Sequence, residues 1–166
     1  MEKRMAKKRI LILFSGGIDS TYLMYKALLE GNDVLFINNT IENNTKQTAK
    51  EGEAIVQIVE WLKQHFPFQQ IEPCNYRMKF CIEGFWMHGR VFGQLFMWLC
   101  SLGIVLQSVD KEVDEIHYGL IARDDALSYV DDIKTSFDAL MMTKETEKFK
   151  GKLNFKHEWT VSFGLF

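Results

Sequence analysis

The residues best placed to do chemistry are Ser15, Gly16, Gly17, Ile18, Asp19, Ser20 and Thr21, which follow the apolar run Ile10–Phe14 directly. The pattern reads as strand, tight glycine turn, helix, with the helical pattern beginning at Asp19 or Ser20. The first amides of a helix have no carbonyl of their own helix to donate to. They also sit at the positive end of its dipole, so such a start attracts anions. Two glycines would let the backbone approach a phosphate without a Cβ in the way, and Ser15, Ser20 and Thr21 add hydroxyl donors. No Gly-Lys-Ser/Thr follows, and no Gly-x-Gly-x-x-Gly occurs, so neither common phosphate-loop fingerprint applies. The plain alternative is a glycine turn with Asp19 as the helix N-cap.

A second group lies in the other half of the chain. Gly119 to Asp131 reads Gly-Leu-Ile-Ala-Arg-Asp-Asp-Ala-Leu-Ser-Tyr-Val-Asp, after a short strand and ahead of a helical pattern. Asp131 is placed to cap that helix, whereas Asp125 is too far upstream to do so. Arg90, after Gly89, opens a long apolar segment. A cation at a helix N-terminus costs a few tenths to about 1 kcal/mol. It becomes intelligible if an anionic group, gripped by the guanidinium fork, lies nearby. A solvated surface arginine is the alternative. His88 and His117 have no partners at metal-ligand spacing and read as structural.

The Ser-Gly-Gly-x-Asp-Ser loop resembles that of the PP-loop ATP pyrophosphatases. Gly89-Arg90 and the Gly119–Asp131 segment, in the same order and spacing, resemble motifs of the 7-cyano-7-deazaguanine synthase family within that superfamily. The resemblance covers roughly residues 9–142. It implies a three-layer α/β/α fold with a mostly parallel, Rossmann-like sheet of the adenine nucleotide alpha hydrolase type. ATP would lie on Phe14, Ser15, Gly16, Gly17, Ile18, Asp19, Ser20 and Thr21. Asp19 and Arg90 would be catalytic, with Asp19 holding Mg²⁺ directly or through water. Arg90, Gly119, Asp125, Tyr129 and Asp131 would hold the 7-deazaguanine substrate. The activity implied is an AMP-forming carbon–nitrogen ligase acting on a carboxylate and ammonia in queuosine precursor (preQ0) synthesis. Other adenylating enzymes share the loop, and a nucleotide-binding subunit without catalysis would too. The chain departs from the family in several places. It has Val130 for a proline, Val91 for an asparagine, Asp131-Asp132-Ile133 for Asp-x-Arg, and no cysteine cluster, so zinc is not expected.

Composition sets the frame. With 166 residues, 47% of them hydrophobic, and only two prolines, the chain predicts a single domain over residues 1–166 with an ample core. A net charge of −2 gives no reason to expect charge-driven nucleic-acid binding. Cys74, Cys81 and Cys100 form neither a disulfide framework nor a zinc motif, which suits a reducing cytoplasm. The basic start (Lys3, Arg4, Lys7, Lys8, Arg9) precedes an apolar run too short for a signal peptide. It reads as a solvated tail, with phosphate steering as the alternative.

Periodicity then predicts the elements that must carry the motifs, strands alternating with helices. Strands are expected at Arg9–Phe14, Val34–Ile37, near Gln69–Ile71 and at Glu115–Gly119. One helix is expected at about Ser20–Glu30, with Leu23, Ala27 and Leu28 inward and Gly31 as its stop. Another spans about Thr45–His65, with Ala54, Ile55, Ile58, Val59 and Leu62 as its stripe and Pro67 beyond it. The second strand runs into the Asn-rich segment Asn38–Asn44, Pro73–Arg90 reads as a long loop, Val91–Leu106 as a buried helix and Asp131–Glu147 as a further helix. Residues 151–166 alternate strictly and read as a C-terminal strand or hairpin, with a helix face of Phe155, Trp159, Phe163 and Phe166 as the alternative, covered within the fold or by the second subunit of a homodimer. Small-molecule substrates are the expected partners, with no membrane and no nucleic acid.

Overall fold

The computed structural model describes residues 7–38, 40–41, 45–74, 79–80, 113–121, 131, 135, 138–139 and 154–160. Among the described residues nine elements run in chain order: β1 (Arg9–Leu13), α1 (Ile18–Leu29), β2 (Asp33–Ile37), β3 (Thr40–Ile41), α2 (Thr45–His65), β4 (Ile71–Pro73), β5 (Lys79–Phe80), β6 (Glu115–Ile121) and β7 (Asn154–Thr160). Five strands form one sheet in the order β4-β2-β1-β6-β7. Every pairing is parallel, with Ile10 opposite Val34 and Glu115, Val34 opposite Ile71, and Glu115 opposite Asn154. This is the α/β fold that the alternating pattern predicts.

Side-chain alternation explains why the strands are apolar nearly throughout. Ile10, Ile12 and Phe14 of the first strand segment, with Val34 and Phe36, pack against Leu23, Met24, Ala27 and Leu28 of α1 and Val59 and Leu62 of α2. Leu11, Leu35 and Ile37 alternate to the opposite face and are buried as well. A sheet hidden on both faces needs continuous hydrophobic runs instead of strict alternation.

The ends of α1 are specified locally. The Gly31 amide donates to Leu28 O (2.9 Å) and the Asn32 amide to Ala27 O (3.1 Å), while Gly31 takes φ +85°. This pair of bonds closes the helix in a Schellman motif, so Gly31 is the stop that the sequence predicts.

Several expectations need correction. The helix begins at Ile18 with Gly17 as N-cap, ahead of the expected Ser20 start, so Asp19 does not cap it. The third strand of the sheet is Ile71–Pro73 rather than Gln69–Ile71. The Gln70 amide is taken by Asp33 Oδ1 (2.6 Å) and its carbonyl by the Val34 amide (2.8 Å), which fixes the approach to the sheet. The Asn38–Asn44 and Pro73–Arg90 segments each contribute a two-residue strand, β3 and β5, paired in parallel. Two residues are too few for any period to register. The C-terminal alternation becomes one strand, β7, added to the main sheet beside β6. Lys7 and Lys8 are not a solvated tail: they pair with Asp33 and Glu115, each at 2.7 Å. Those pairs lie at the N-terminal end of β1, opposite the glycine loop, which removes these residues from phosphate steering. Asp131, Thr135, Asp138 and Ala139 have helical backbone and are exposed, consistent with one outer face of the expected fourth helix. The expected Val91–Leu106 helix lies outside the described residues.

Candidate functional site

Strand order fixes where a ligand can sit. From β1 the chain winds outward to β2 and β4 through α1 and α2, and later returns to the other side of β1 as β6. The loop after β1 therefore stands at the point where the winding reverses, at the carboxyl ends of the strands. In open α/β sheets this crevice is where ligands bind.

Phe14 anchors the loop. Its ring is buried and meets Phe36 edge to face at 5.5 Å. Its amide donates to Ile37 O (2.8 Å), and its carbonyl accepts from Asn38 Nδ2 (3.1 Å). The chain thus leaves the sheet tied to β2 on both sides of the peptide.

Gly16 takes φ +77°, a conformation that L side chains rarely adopt. A Cβ on it would lie 2.9 Å from Ile55 Cγ1 of α2. Its bareness therefore serves helix–loop packing on that side, not only the approach of a phosphate. Gly17 has an ordinary extended conformation, φ −77° and ψ 167°, so its place does not require glycine on conformational grounds.

The hydroxyls are turned inward, unlike the expected outward donors. Thr21 Oγ1 donates to Gly17 O (2.8 Å), and Ser20 Oγ donates to the same carbonyl (3.2 Å). Such bonds to the previous turn are the usual alternative for Ser and Thr in a helix. With the Ser20 proton committed there, Ser15 Oγ is the donor in its 3.2 Å contact with Ser20 Oγ. The Ser15 amide reaches Ser20 Oγ and the Gly17 amide reaches Ser15 Oγ, both at 3.3 Å. Those lengths lie past the usual N–H···O range of about 2.7–3.2 Å, so a charged acceptor would compete well for the donors. The amides of Gly16, Ile18 and Ser20 have no hydrogen-bond partner among the described residues; the first helical bond runs from the Thr21 amide to Gly17 O (3.0 Å). A small set of backbone donors at the helix start remains.

Asp19 is half-buried in the first turn of α1, where a carboxylate gains from the helix dipole. Gly119 lies in β6, and continuing the Ile12–His117 register brings it level with Phe14, near the carboxyl ends of both strands. Asp131 is exposed and helical. Arg90, Asp125 and Tyr129 lie outside the described residues.

His117 is buried with its Nε2 3.0 Å from Glu115 Oε2, which fits its structural reading. Glu115, only 4% exposed, escaped notice in the sequence because a lone acidic residue at a strand start carries no signal. Asn38 and Ile55 were missed as supports of the loop. Asn38 follows β2 directly, the one local hint available. Ile55 reveals itself only through tertiary contact. Beside the loop, a groove of about 380 Å³ runs between α1 and α2, from Gly16 and Ile18 down to Tyr25 and Leu62. Its lining is apolar and aromatic, distinct in chemistry from the amide cradle. No helix among the described residues is long and apolar enough to cross a membrane.

Together these features define a Rossmann-like parallel sheet with a glycine loop at its topological switch. No family model matches the chain. Among curated proteins it is similar to the 7-cyano-7-deazaguanine synthase of Saccharolobus solfataricus, with 41% identity over 63 residues, 38% of this chain and 13% of that protein. The likeness thus reaches only a small part of that relative's length. Among solved structures, a universal stress protein in complex with cAMP aligns at TM-score 0.44 with 12% identity, covering 92% of this chain and 98% of that one. So low a score adds nothing to the argument.

Proposed function

We propose that the chain is an ATP-dependent, AMP-forming ligase that converts 7-carboxy-7-deazaguanine and ammonia to 7-cyano-7-deazaguanine. The observation that carries this reading is the amide cradle of Gly16 to Ser20 at the sheet's switch point. The partial likeness to the archaeal synthase supports the choice of reaction.

In this reading the terminal phosphates of ATP rest on the loop amides. The substrate carboxylate attacks the α-phosphorus, and the bond to the leaving pyrophosphate breaks. The amides of α1 take up the charge that develops there, a fixed dipole needing no reorganisation. Ammonia then attacks the acyl carbon and AMP departs, leaving the amide. A second adenylation, now on the amide oxygen, lets AMP leave again as two protons are lost and the nitrile forms. No nucleophilic side chain takes part; positioning supplies the rate.

Mg²⁺ fits the site, because it keeps waters and phosphate oxygens and asks for only one or two carboxylates. Asp19 would be the carboxylate to hold it, and the ion would neutralise phosphate charge. Arg90 would face an anionic group of substrate or nucleotide. Asp125 would accept from the amino and ring N–H groups of the deazaguanine, with Gly119, Tyr129 and Asp131 around it.

The test is incubation with ATP, ammonia and 7-carboxy-7-deazaguanine, followed by mass analysis. AMP together with the nitrile is the expected outcome. AMP without nitrile would move the assignment to another acceptor, such as a tRNA base or a different carboxylate. ATP binding by calorimetry with no AMP would leave a nucleotide-binding subunit without catalysis.

A further inference from the structure

Asn38 follows β2 at its carboxyl end, beside the glycine loop. Its Nδ2 donates to Phe14 O at 3.1 Å, while its Oδ1 takes no hydrogen bond among the described residues. The side chain is half-buried. A carbonyl oxygen only accepts, so the Phe14 carbonyl dictates which end of the amide faces it. Turned over, the amide would set two oxygens against each other. One N–H is therefore spent, and the amide keeps an acceptor, Oδ1, and a second N–H in a fixed order.

Its place matters as much as its polarity. Phe14 leads straight into Ser15–Ser20, and β1 and β2 are neighbours in the sheet, about 4.8 Å apart. A nucleotide with its phosphates on the loop can lie along the carboxyl edge toward β2 or toward β6. Gly119 stands on the β6 side, where the reading above puts the deazaguanine. That leaves the β2 side, and the Asn38 amide, for the nucleotide's base.

We propose that Asn38 reads the 6-position of the purine of ATP and selects an adenine nucleotide over a 6-oxo one. This deepens the ATP-dependent reading above and rests on it. Adenine offers a donor at its 6-amino group and an acceptor at an adjacent ring nitrogen. An amide with a free acceptor and a free N–H meets that pair with two bonds, the pairing by which asparagine recognises adenine. A 6-oxo purine in the same seat would put its oxygen against Oδ1. An amide free to turn over would accommodate that oxygen; one pinned by Phe14 does not. Polar groups arranged to bond one substrate are left unpaired by the wrong one, and the site rejects it for that reason. Selection is needed here because the second substrate is itself a guanine-like, 6-oxo ring. The fixed polarity of Asn38 keeps that ring out of the ATP seat.

The test is calorimetric titration of the full chain, with Mg²⁺, by ATP, by inosine triphosphate and by inorganic tripolyphosphate as a base-free probe. The parent should prefer ATP to inosine triphosphate by about 10- to 100-fold, the discrimination of one two-bond amide contact. Asn38→Ala should weaken ATP by on the order of the same factor and leave inosine triphosphate and tripolyphosphate unchanged. The parent's own preference needs no variant, so the inference stays testable if Asn38→Ala fails to fold. Equal binding of the two nucleotides by the parent would overturn the inference, and retained tripolyphosphate binding would leave the loop reading standing. Equal weakening of all three ligands by Asn38→Ala would make Asn38 a support of the loop alone and overturn its role in selection. A variant that keeps the parent's preference would do the same. A parent that binds none of the three would overturn both this inference and the reading beneath it.

Discussion

Replacing Gly16 by alanine tests how the loop is built, because two separable costs meet at that residue. The first is conformational. At φ +77° an L side chain pays about 1–2 kcal/mol. The second is steric: the new Cβ would stand 2.9 Å from Ile55 Cγ1, and forcing a methyl into packed surroundings costs about 1–3 kcal/mol. Ile55 is only partly buried, so it can yield somewhat, and a total of about 2–4 kcal/mol is expected. That is a large share of the ~5–15 kcal/mol that holds a domain folded. Gly31 provides the control. It has φ +85° but nothing within 4 Å of its would-be Cβ, so Gly31→Ala should cost only the conformational part. Urea unfolding at 25 °C reads both, and the difference between them is the contact with α2. In an Ile55→Ala background, where Cγ1 is gone, Gly16→Ala should fall to the level of Gly31→Ala. If Gly16→Ala costs no more than Gly31→Ala, or if the double substitution shows no coupling, then α2 does not set the loop.

Asp19→Ala should abolish ATP-to-AMP turnover while the chain stays folded by circular dichroism; retained turnover would remove the carboxylate from the mechanism. Leu62→Ala, at a fully buried position of α2, should lower stability by about 2–5 kcal/mol in urea unfolding. Glu115→Gln should cost about 1–3 kcal/mol, mostly through the buried contact with His117, since the exposed side of Lys8 weakens its share. It should also change the alkaline response. Hydrogen bonding to Glu115, and then the carboxylate's charge, hold the Lys8 pKa above its ordinary 10.5. A value raised on folding stabilises fully below the unfolded pKa and is lost as pH rises through the folded one. The parent's urea midpoint should therefore drop above pH 10.5 more steeply than the variant's, and parallel curves would refute the link.

The parts that were legible in the sequence are those with a repeating or local cause. The Thr45–His65 helix is found at its expected bounds because its apolar stripe runs for many turns. Gly31 stopped α1 as expected because a Schellman cap involves only neighbours. The start of α1 was placed late, since Gly17 caps it with backbone alone and leaves no side-chain mark. Strands β3 and β5 exist only by pairing with each other, which no local window contains. The inward turn of the Ser20 and Thr21 hydroxyls was likewise invisible. A hydroxyl's identity says it can donate, and only the fold decides that Gly17 O receives the bond. Lys7 and Lys8 looked like solvent-facing charges because Asp33 and Glu115 are remote in the chain.

The central strand has a history written into its pairing. The β2 partner of β1 is synthesised soon after it, but its other neighbour begins at Glu115, opposite Ile10. At about 5–20 residues per second of synthesis, the far edge of β1 waits on the order of 5–20 s for its partner. Throughout that interval the backbone groups that β1 gives to β6 have no native partner. The glycine loop and its two helices are already synthesised by then. Closure of the sheet is the late event, and the Lys8–Glu115 clasp forms only when it happens.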